Sequence, residues 1–234
     1  MNLLSPLTKT AIALAFIASA SFTYGQVVTG DGMVYEDEEK HKGFVEGKLY
    51  KTDGTHISGY VSFPYTDGNI SFRNTKDEKG SQKFTPEEVT GFTMVKDSFA
   101  TLSNFFPERI GVTLTQVYKK GFAKVLVDGP ICLFKHYSLQ SMSNYRVVSV
   151  ESYLVSRKEE HLSRFYTIPT RNAAVFQEAA RKIFRRNKTL TAAIQSGELT
   201  FLDLREIVTR YNESYSIVER ESETSDVILV RIYK

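Results

Sequence analysis

Cysteine is almost absent from this 234-residue chain, in which Cys132 stands alone, and tryptophan is missing altogether. A single cysteine excludes an intramolecular disulfide, a Cys-x-x-Cys redox pair and a thiolate-rich zinc site, so core packing must hold the fold. Cys132 sits within Ile131-Cys132-Leu133-Phe134 and reads as a buried, inert thiol rather than a nucleophile. Histidine is scarce too: His41, His56, His136 and His161 fall in separate segments, with no His-Glu-x-x-His helix among them. The Walker loop, Gly-x-Gly-x-x-Gly and Gly-x-Ser-x-Gly are also missing, which removes the P-loop, dinucleotide-binding and nucleophile-elbow classes. No catalytic residue, metal or cofactor is expected. A net charge of +3 is too mild to argue for nucleic acid. No apolar run reaches the roughly 20 residues of a membrane-spanning helix.

What is present is ordinary globular material. Hydrophobic residues make up 41% of the chain and aromatic residues 12%, enough for one sizeable core. At the N-terminus, Lys9 precedes the short apolar run Ala11–Ala20, followed by Ala18-Ser19-Ala20 and Thr23-Tyr24-Gly25 as cleavage patterns. A charge, a short apolar stretch and small residues describe a secretory signal peptide over 1–25. The expected address is therefore the periplasm, the cell surface or the medium. No cysteine lies near the cleavage region, which argues against a lipid anchor. Residues 26–42 are polar and acidic and read as an N-terminal arm, with a short strand at Met33–Tyr35.

From Gly43 the pattern is β. Ile57, Gly59, Val61 and Phe63 share one parity while Ser58, Tyr60 and Ser62 share the other, the two-residue alternation of a half-buried strand. Thr52-Asp53-Gly54, Thr66-Asp67-Gly68 and Asp128-Gly129-Pro130 place Asp-Gly between β-type runs, a hairpin signal. Further strands are expected over Val89–Val95, Phe99–Phe106, Phe122–Val127, Ile131–Tyr137, Tyr145–Arg157 and Leu162–Ile168, while Ile110–Tyr118 fits a strand or a short helix, its Thr and Val content favouring strand. Nine or ten short strands at this spacing suggest an antiparallel sandwich or barrel-like body over 43–168.

At Pro169 the period changes from two to about 3.6. Thr170 is the expected N-cap of a helix over Arg171–Arg186, with Val175, Phe176, Ala179, Ala180, Ile183 and Phe184 on its buried face. A shorter helix is expected over Thr189–Ser196, stopped by Gly197. Thr200 and Asp203 form a capping box for a third helix carrying Leu204, Ile207, Val208 and Tyr211. Val227–Tyr233 reads as a near-continuous apolar strand that returns to the sheet. The expected fold class is α+β, with three helices and a terminal strand over 169–234 packed on the β body.

One feature carries functional weight. Arg181, Lys182, Arg185, Arg186 and Lys188 cluster along the first helix and just beyond it, together with Arg171. A basic amphipathic helix can rest on an anionic surface. The competing reading is a solvated face opposite the apolar stripe.

The runs Thr52-Asp53-Gly54-Thr55, Phe84-Thr85-Pro86-Glu87-Glu88-Val89-Thr90-Gly91-Phe92, Val125-Leu126-Val127-Asp128-Gly129-Pro130-Ile131-Cys132-Leu133-Phe134 and Ile207-Val208-Thr209-Arg210-Tyr211-Asn212 resemble a loose family of exported bacterial β-rich proteins of no assigned function. The resemblance covers most of the chain after the leader. It implies export and a β-then-helix order, and it transfers no active site. The leading expectation is a non-catalytic binding or envelope-associated protein whose partner is an envelope component or small ligand. The alternatives are a hydrolase of unfamiliar type acting on envelope or extracellular polymer, and peripheral membrane contact through 171–188.

Overall fold

The computed structural model describes residues 26–28, 34–36, 43–65, 68–109, 117–141, 147–158 and 164–215. Two compact units divide the chain, 1–40 and 41–234. In the first, β1 (Gln26–Val28) pairs antiparallel with β2 (Val34–Glu36), close to the short strand expected there. The signal-peptide segment 1–25 and the terminal segment Val227–Tyr233 lie outside the described residues, as do most of Ile110–Tyr118 and both His41 and His161.

The second unit is α+β. Its ten strands are β3 (Val45–Lys51), β4 (His56–Ser62), β5 (Ile70–Arg73), β6 (Gln82–Phe84), β7 (Val89–Met94), β8 (Asp97–Phe105), β9 (Tyr118–Val127), β10 (Ile131–Ser141), β11 (Val147–Arg157) and β12 (Tyr166–Ile168). They form one antiparallel sheet in the order β12-β11-β10-β9-β8-β7-β3-β4-β5-β6. The Asp53-Gly54 and Asp128-Gly129 corners fall between paired strands, while Thr66 and Asp67 lie outside the described residues. Asp53 Oδ1 accepts from Thr55 N at 2.8 Å and from Thr55 Oγ1 at 2.5 Å, closing the β3–β4 turn.

The connection from β6 to β7 bends the sheet. In a flat sheet four strand spacings, roughly 19 Å, would separate these strands. Only Thr85–Glu88 joins them, and that link is folded into a turn, with Glu88 N donating to Thr85 O at 3.1 Å and Glu88 Oε2 accepting from Thr85 N at 2.8 Å. The sheet therefore curls at this end. Lys51 of β3 lies 6.0 Å from the Phe84 ring of β6. Inside the curl, Leu49, Val61, Phe63, Ile70, Phe72, Phe84, Phe92 and Phe99 form one core cluster. Phe92 stacks on Phe99 at 4.5 Å, and Phe63 meets Phe92, Phe99 and Phe122 edge-on at 5.2–5.6 Å. Such pairs add roughly 0.5–1.5 kcal/mol each beyond area burial.

At the other end the helices cover one face of β10 and β11. They are α1 (Ala173–Ile183), α2 (Lys188–Ser196) and α3 (residues 204–215), the last led in by a 3-10 turn at Phe201–Asp203. Ile131, Leu133, Val155 and Ile168 from the sheet pack with Phe176, Phe184, Leu190, Ile194, Ile207, Val208 and Tyr211. The opposite face of the same strands packs Cys132, Phe134 and Leu154 with Leu102, Phe105 and Ala123. Two-sided burial explains why β10 reads as a nearly unbroken apolar run.

The helix starts differ from the sequence expectation. Thr170 does not cap α1, because the buried Glu108 carboxylate takes both its N–H, at 2.9 Å, and its hydroxyl, at 2.7 Å. Asn172 caps instead, accepting from Val175 N at 3.1 Å. The expected helix over Arg171–Arg186 is shorter at both ends, and Val175 of its expected buried face is 49% exposed. Asn187 caps α2 by accepting from Leu190 N at 2.9 Å, and Gly197 stops it in the left-handed conformation. The Thr200–Asp203 capping box is present, with Asp203 Oδ2 accepting from Thr200 N at 2.9 Å and from its hydroxyl at 3.0 Å.

Candidate functional site

The basic residues singled out in the sequence lie on solvent. The buried face of α1 is Phe176, Ala180 and Ile183, which leaves Arg181 and Lys182 outward on the last turn. There they face the negative end of the helix dipole, a favourable place for cations. Lys182 Nζ meets Glu178 Oε1 at 2.6 Å, one turn back. That contact holds the Glu178 carboxyl below its usual pKa. Arg185 and Arg186 are exposed in the link after α1, and Lys188 is exposed at the first position of α2.

A surface groove lies between α2 and α3, and Asn187, next to Arg186 and Lys188 in the chain, is among its lining residues. It has a volume of about 660 Å³ and is lined by Asn187, Thr189, Leu190, Ala192, Ala193, Ser196, Glu198 and Arg210. Its floor follows from the caps. Asn187 starts α2, and its Nδ2 donates to Ser214 Oγ at 3.0 Å, pinning the end of α3 beside the start of α2. Arg210 is held along α3 by Glu206 at 2.5 Å. Small residues on α2 make a shallow trough whose exposed lining is mostly apolar, with Arg210 and Glu198 as its charged groups.

The buried ionisable groups are committed elsewhere. Lys135, on the helix-covered face of β10, pairs with Glu151 of β11 at 2.9 Å. Its Nζ lies 5.2 and 5.8 Å from the Tyr137 and Tyr153 rings. On the opposite face His136 Nδ1 is 2.9 Å from Phe122 O, while its Nε2 is buried without a hydrogen-bond partner. Burial pushes the imidazole pKa down to about 4, against the opposing hydrogen bond to Phe122. The ring packs edge-on to Phe105 and Tyr118 at 4.7 and 4.9 Å, and among the described residues no carboxylate is hydrogen-bonded to it. Cys132 is buried, and its Sγ contacts Asp128 Oδ1 at 3.3 Å and Gly129 O at 3.4 Å. Burial raises its pKa, the opposite of an activated thiolate. His56 is exposed on β4. Among the described residues no group of three His, Cys, Asp or Glu side chains could hold a metal ion.

Glu108 and Asn212 escaped sequence reasoning. Glu108 N donates to Ser152 Oγ at 2.8 Å while its carboxylate holds Thr170, which ties the segment after β8 to the entry of α1. Asn212 falls in register with Leu204, Val208 and Tyr211, and a polar residue on an apolar helical stripe was the available signal. The groove itself had no such signal beyond Asn187, a good capping residue. Among the described residues no helix is long and apolar enough to cross a membrane. Comparison with protein families, curated proteins and solved structures finds no match for this chain.

Proposed function

We propose that this chain is an exported, non-catalytic binding protein of the cell envelope, and that its ligand is an anionic envelope polymer lying along the α2–α3 groove. The observation that carries the reading is the groove with Arg210 in its wall and, beside its lining residue Asn187 in the chain, the exposed Arg185, Arg186 and Lys188. Export rests on the Lys9–Tyr24 leader pattern. The terminal segment Val227–Tyr233 is proposed to join an edge of the curled sheet, completing a barrel-like body.

Binding of polygalacturonate, an acidic polysaccharide probe, followed by thermal shift and calorimetry, tests the assignment. Charge reversal at Arg181, Arg185 and Lys188 together should weaken binding at least tenfold and flatten its salt dependence. Equal affinity of the reversed and native proteins overturns it, as does turnover of a polymer substrate by the native protein.

Peripheral membrane contact is the second reading, favoured by the same basic residues. Val175 on α1 and Phe201 are exposed apolar side chains of the helical region, and Leu202, at 75%, is the most exposed of them. Its neighbours in the chain include Glu198, Asp203 and Glu206, which an anionic bilayer repels, so the polymer reading ranks first.

A further inference from the structure

Strand alternation leaves one side of β3, β4 and β5 on solvent. Leu49, Val61 and Phe72 belong to the core inside the curl, so residues of the other parity share its outer face. Register sets them in rows. Glu46 stands beside Tyr60, and Tyr60 beside Arg73. Lys48 stands between Ser58 and Thr93, and Tyr50 between His56 and Gly91. Tyr50 is 40% exposed, and Phe44 and Tyr60 are half-buried. Beyond Gly91 the next strand offers only Ala100, so nothing bulky flanks the Tyr50 ring on that side.

The cations set this face apart. Lys124, Lys135, Lys158, Lys182 and Arg210 each meet a carboxylate. Among the described residues the side chains of Lys48 and Arg73 make no ion pair and no hydrogen bond, and Arg73 Nε is buried without a partner. Each lies over a ring instead. The Arg73 guanidinium is 3.8 Å from the Phe44 centroid, and Lys48 Nζ is 5.5 Å from the Tyr50 centroid. A ring face orients a cation without neutralising it. Glu46, exposed on the same face, pairs with neither.

We propose that this face is a second binding surface, on elements separate from the α2–α3 groove, and that its occupant is an acidic polysaccharide. The C–H faces of sugar rings lie on Tyr50 and Tyr60, whose rings are apolar on the face and polar at the tip. Carboxylates of the polymer meet Lys48 and Arg73. Those two residues are one row and two strands apart, roughly 12 Å between backbones, so one short glycan segment reaches both. Ser58, Thr93 and Glu46 are left to bond sugar hydroxyls. A single-stranded nucleic acid fits less well, since it carries a phosphate at every step against two cations and would meet Glu46.

Calorimetry on the full chain with a short oligogalacturonate tests the assignment. Lys48→Gln combined with Arg73→Gln should weaken binding about tenfold. Tyr50→Ala should weaken it severalfold, and this variant decides the matter should the cation variant alter the urea midpoint. Dextran, which lacks carboxylates, should bind about tenfold more weakly than the acidic oligomer. Native affinity in both variants overturns the proposal, as does failure of the native chain to bind the oligomer. Equal binding of dextran overturns the role given to the cations, and tighter binding of a thymidine oligonucleotide overturns the choice of ligand. Charge reversal at Arg181, Arg185 and Lys188 separates the two surfaces. Binding lost there but kept in the Lys48 and Arg73 variant overturns this surface and leaves the groove. The opposite result upholds this surface and removes the groove. Losses in both, with two sites per native chain, uphold both.

Discussion

Asn212 of α3 grips the main chain of Ile131 at both of its polar groups. Ile131 N donates to Asn212 Oδ1 at 2.9 Å and Asn212 Nδ2 donates to Ile131 O at 2.8 Å. A side-chain amide thus stands in for a strand partner where β10 begins. Both residues are buried, so neither main-chain group has water as a substitute. The helix reaches this close because residue 129 has no side chain. A Cβ built there would fall 2.3 Å from Asn212 Nδ2.

Asn212→Ala should therefore cost about 2–4 kcal/mol in urea unfolding, since it strands a buried donor and a buried acceptor together. Gly129→Ala should also destabilise, through the clash. The two effects should be strongly non-additive, because alanine at 212 clears the space that the new methyl group needs. Additivity of the two losses would show that the contact with Asn212 is not what constrains residue 129.

A second prediction concerns the β7–β8 corner. Val95 has φ 55°, the left-handed region that a β-branched side chain enters at a cost of roughly 1–3 kcal/mol. Its side chain is 65% exposed and so recovers little by burial. Val95→Asn should raise stability by about 1 kcal/mol, read as a higher urea midpoint at constant slope. A lower midpoint would mean that the valine side chain contributes more at this corner than its backbone strain costs.

What the sequence disclosed and what it hid divide along contact range. The Asp53-Gly54 corner, the alternation of β4 and the Thr200–Asp203 box are written in residues at most a few positions apart, and each was readable. Glu108 and Thr170 are 62 positions apart, and Ile131 and Asn212 are 81 apart. Nothing local marks such pairs. Thr170 looked like a helix cap because its competing partner could not be seen from its own neighbourhood. The same holds for the groove, beside which Asn187 bonds to Ser214, 27 positions away. The basic side chains of 171–188 are legible in sequence, but the trough between α2 and α3 is not.

Acid sensitivity follows from His136. Its folded pKa is about 4, below the ordinary 6.5, because burial disfavours the imidazolium. Between those values the unfolded chain binds the proton and the folded chain does not. This contribution is therefore complete above about pH 6.5 and shrinks as pH falls toward 4. A shift of this size corresponds to stability on the order of 3 kcal/mol. His136→Phe preserves the aromatic packing against Phe105 and Tyr118 and removes the titration. The native protein should lose urea resistance between pH 6.5 and 4.5 more steeply than the variant. Parallel pH profiles would assign the acid response to other groups.

The Lys135–Glu151 pair should respond unequally to loss of its two members. The lysine side chain is 6% exposed, the glutamate 28%. Glu151→Gln withdraws the counter-charge from an ammonium enclosed by Tyr137 and Tyr153, a loss of about 3 kcal/mol or more for an ion buried in this way. Lys135→Met keeps the unbranched stem against the same rings. It leaves a carboxylate that reaches solvent and still accepts from Tyr153 OH at 3.4 Å. That change should cost under about 1 kcal/mol, and it would gain stability if desolvation of the ammonium outweighs its attraction to Glu151. Urea unfolding of the two single variants and of the double variant separates these contributions. A lysine variant as unstable as the glutamine variant would mean that the ion pair itself, rather than avoidance of an uncompensated buried charge, holds β10 to β11 at this level.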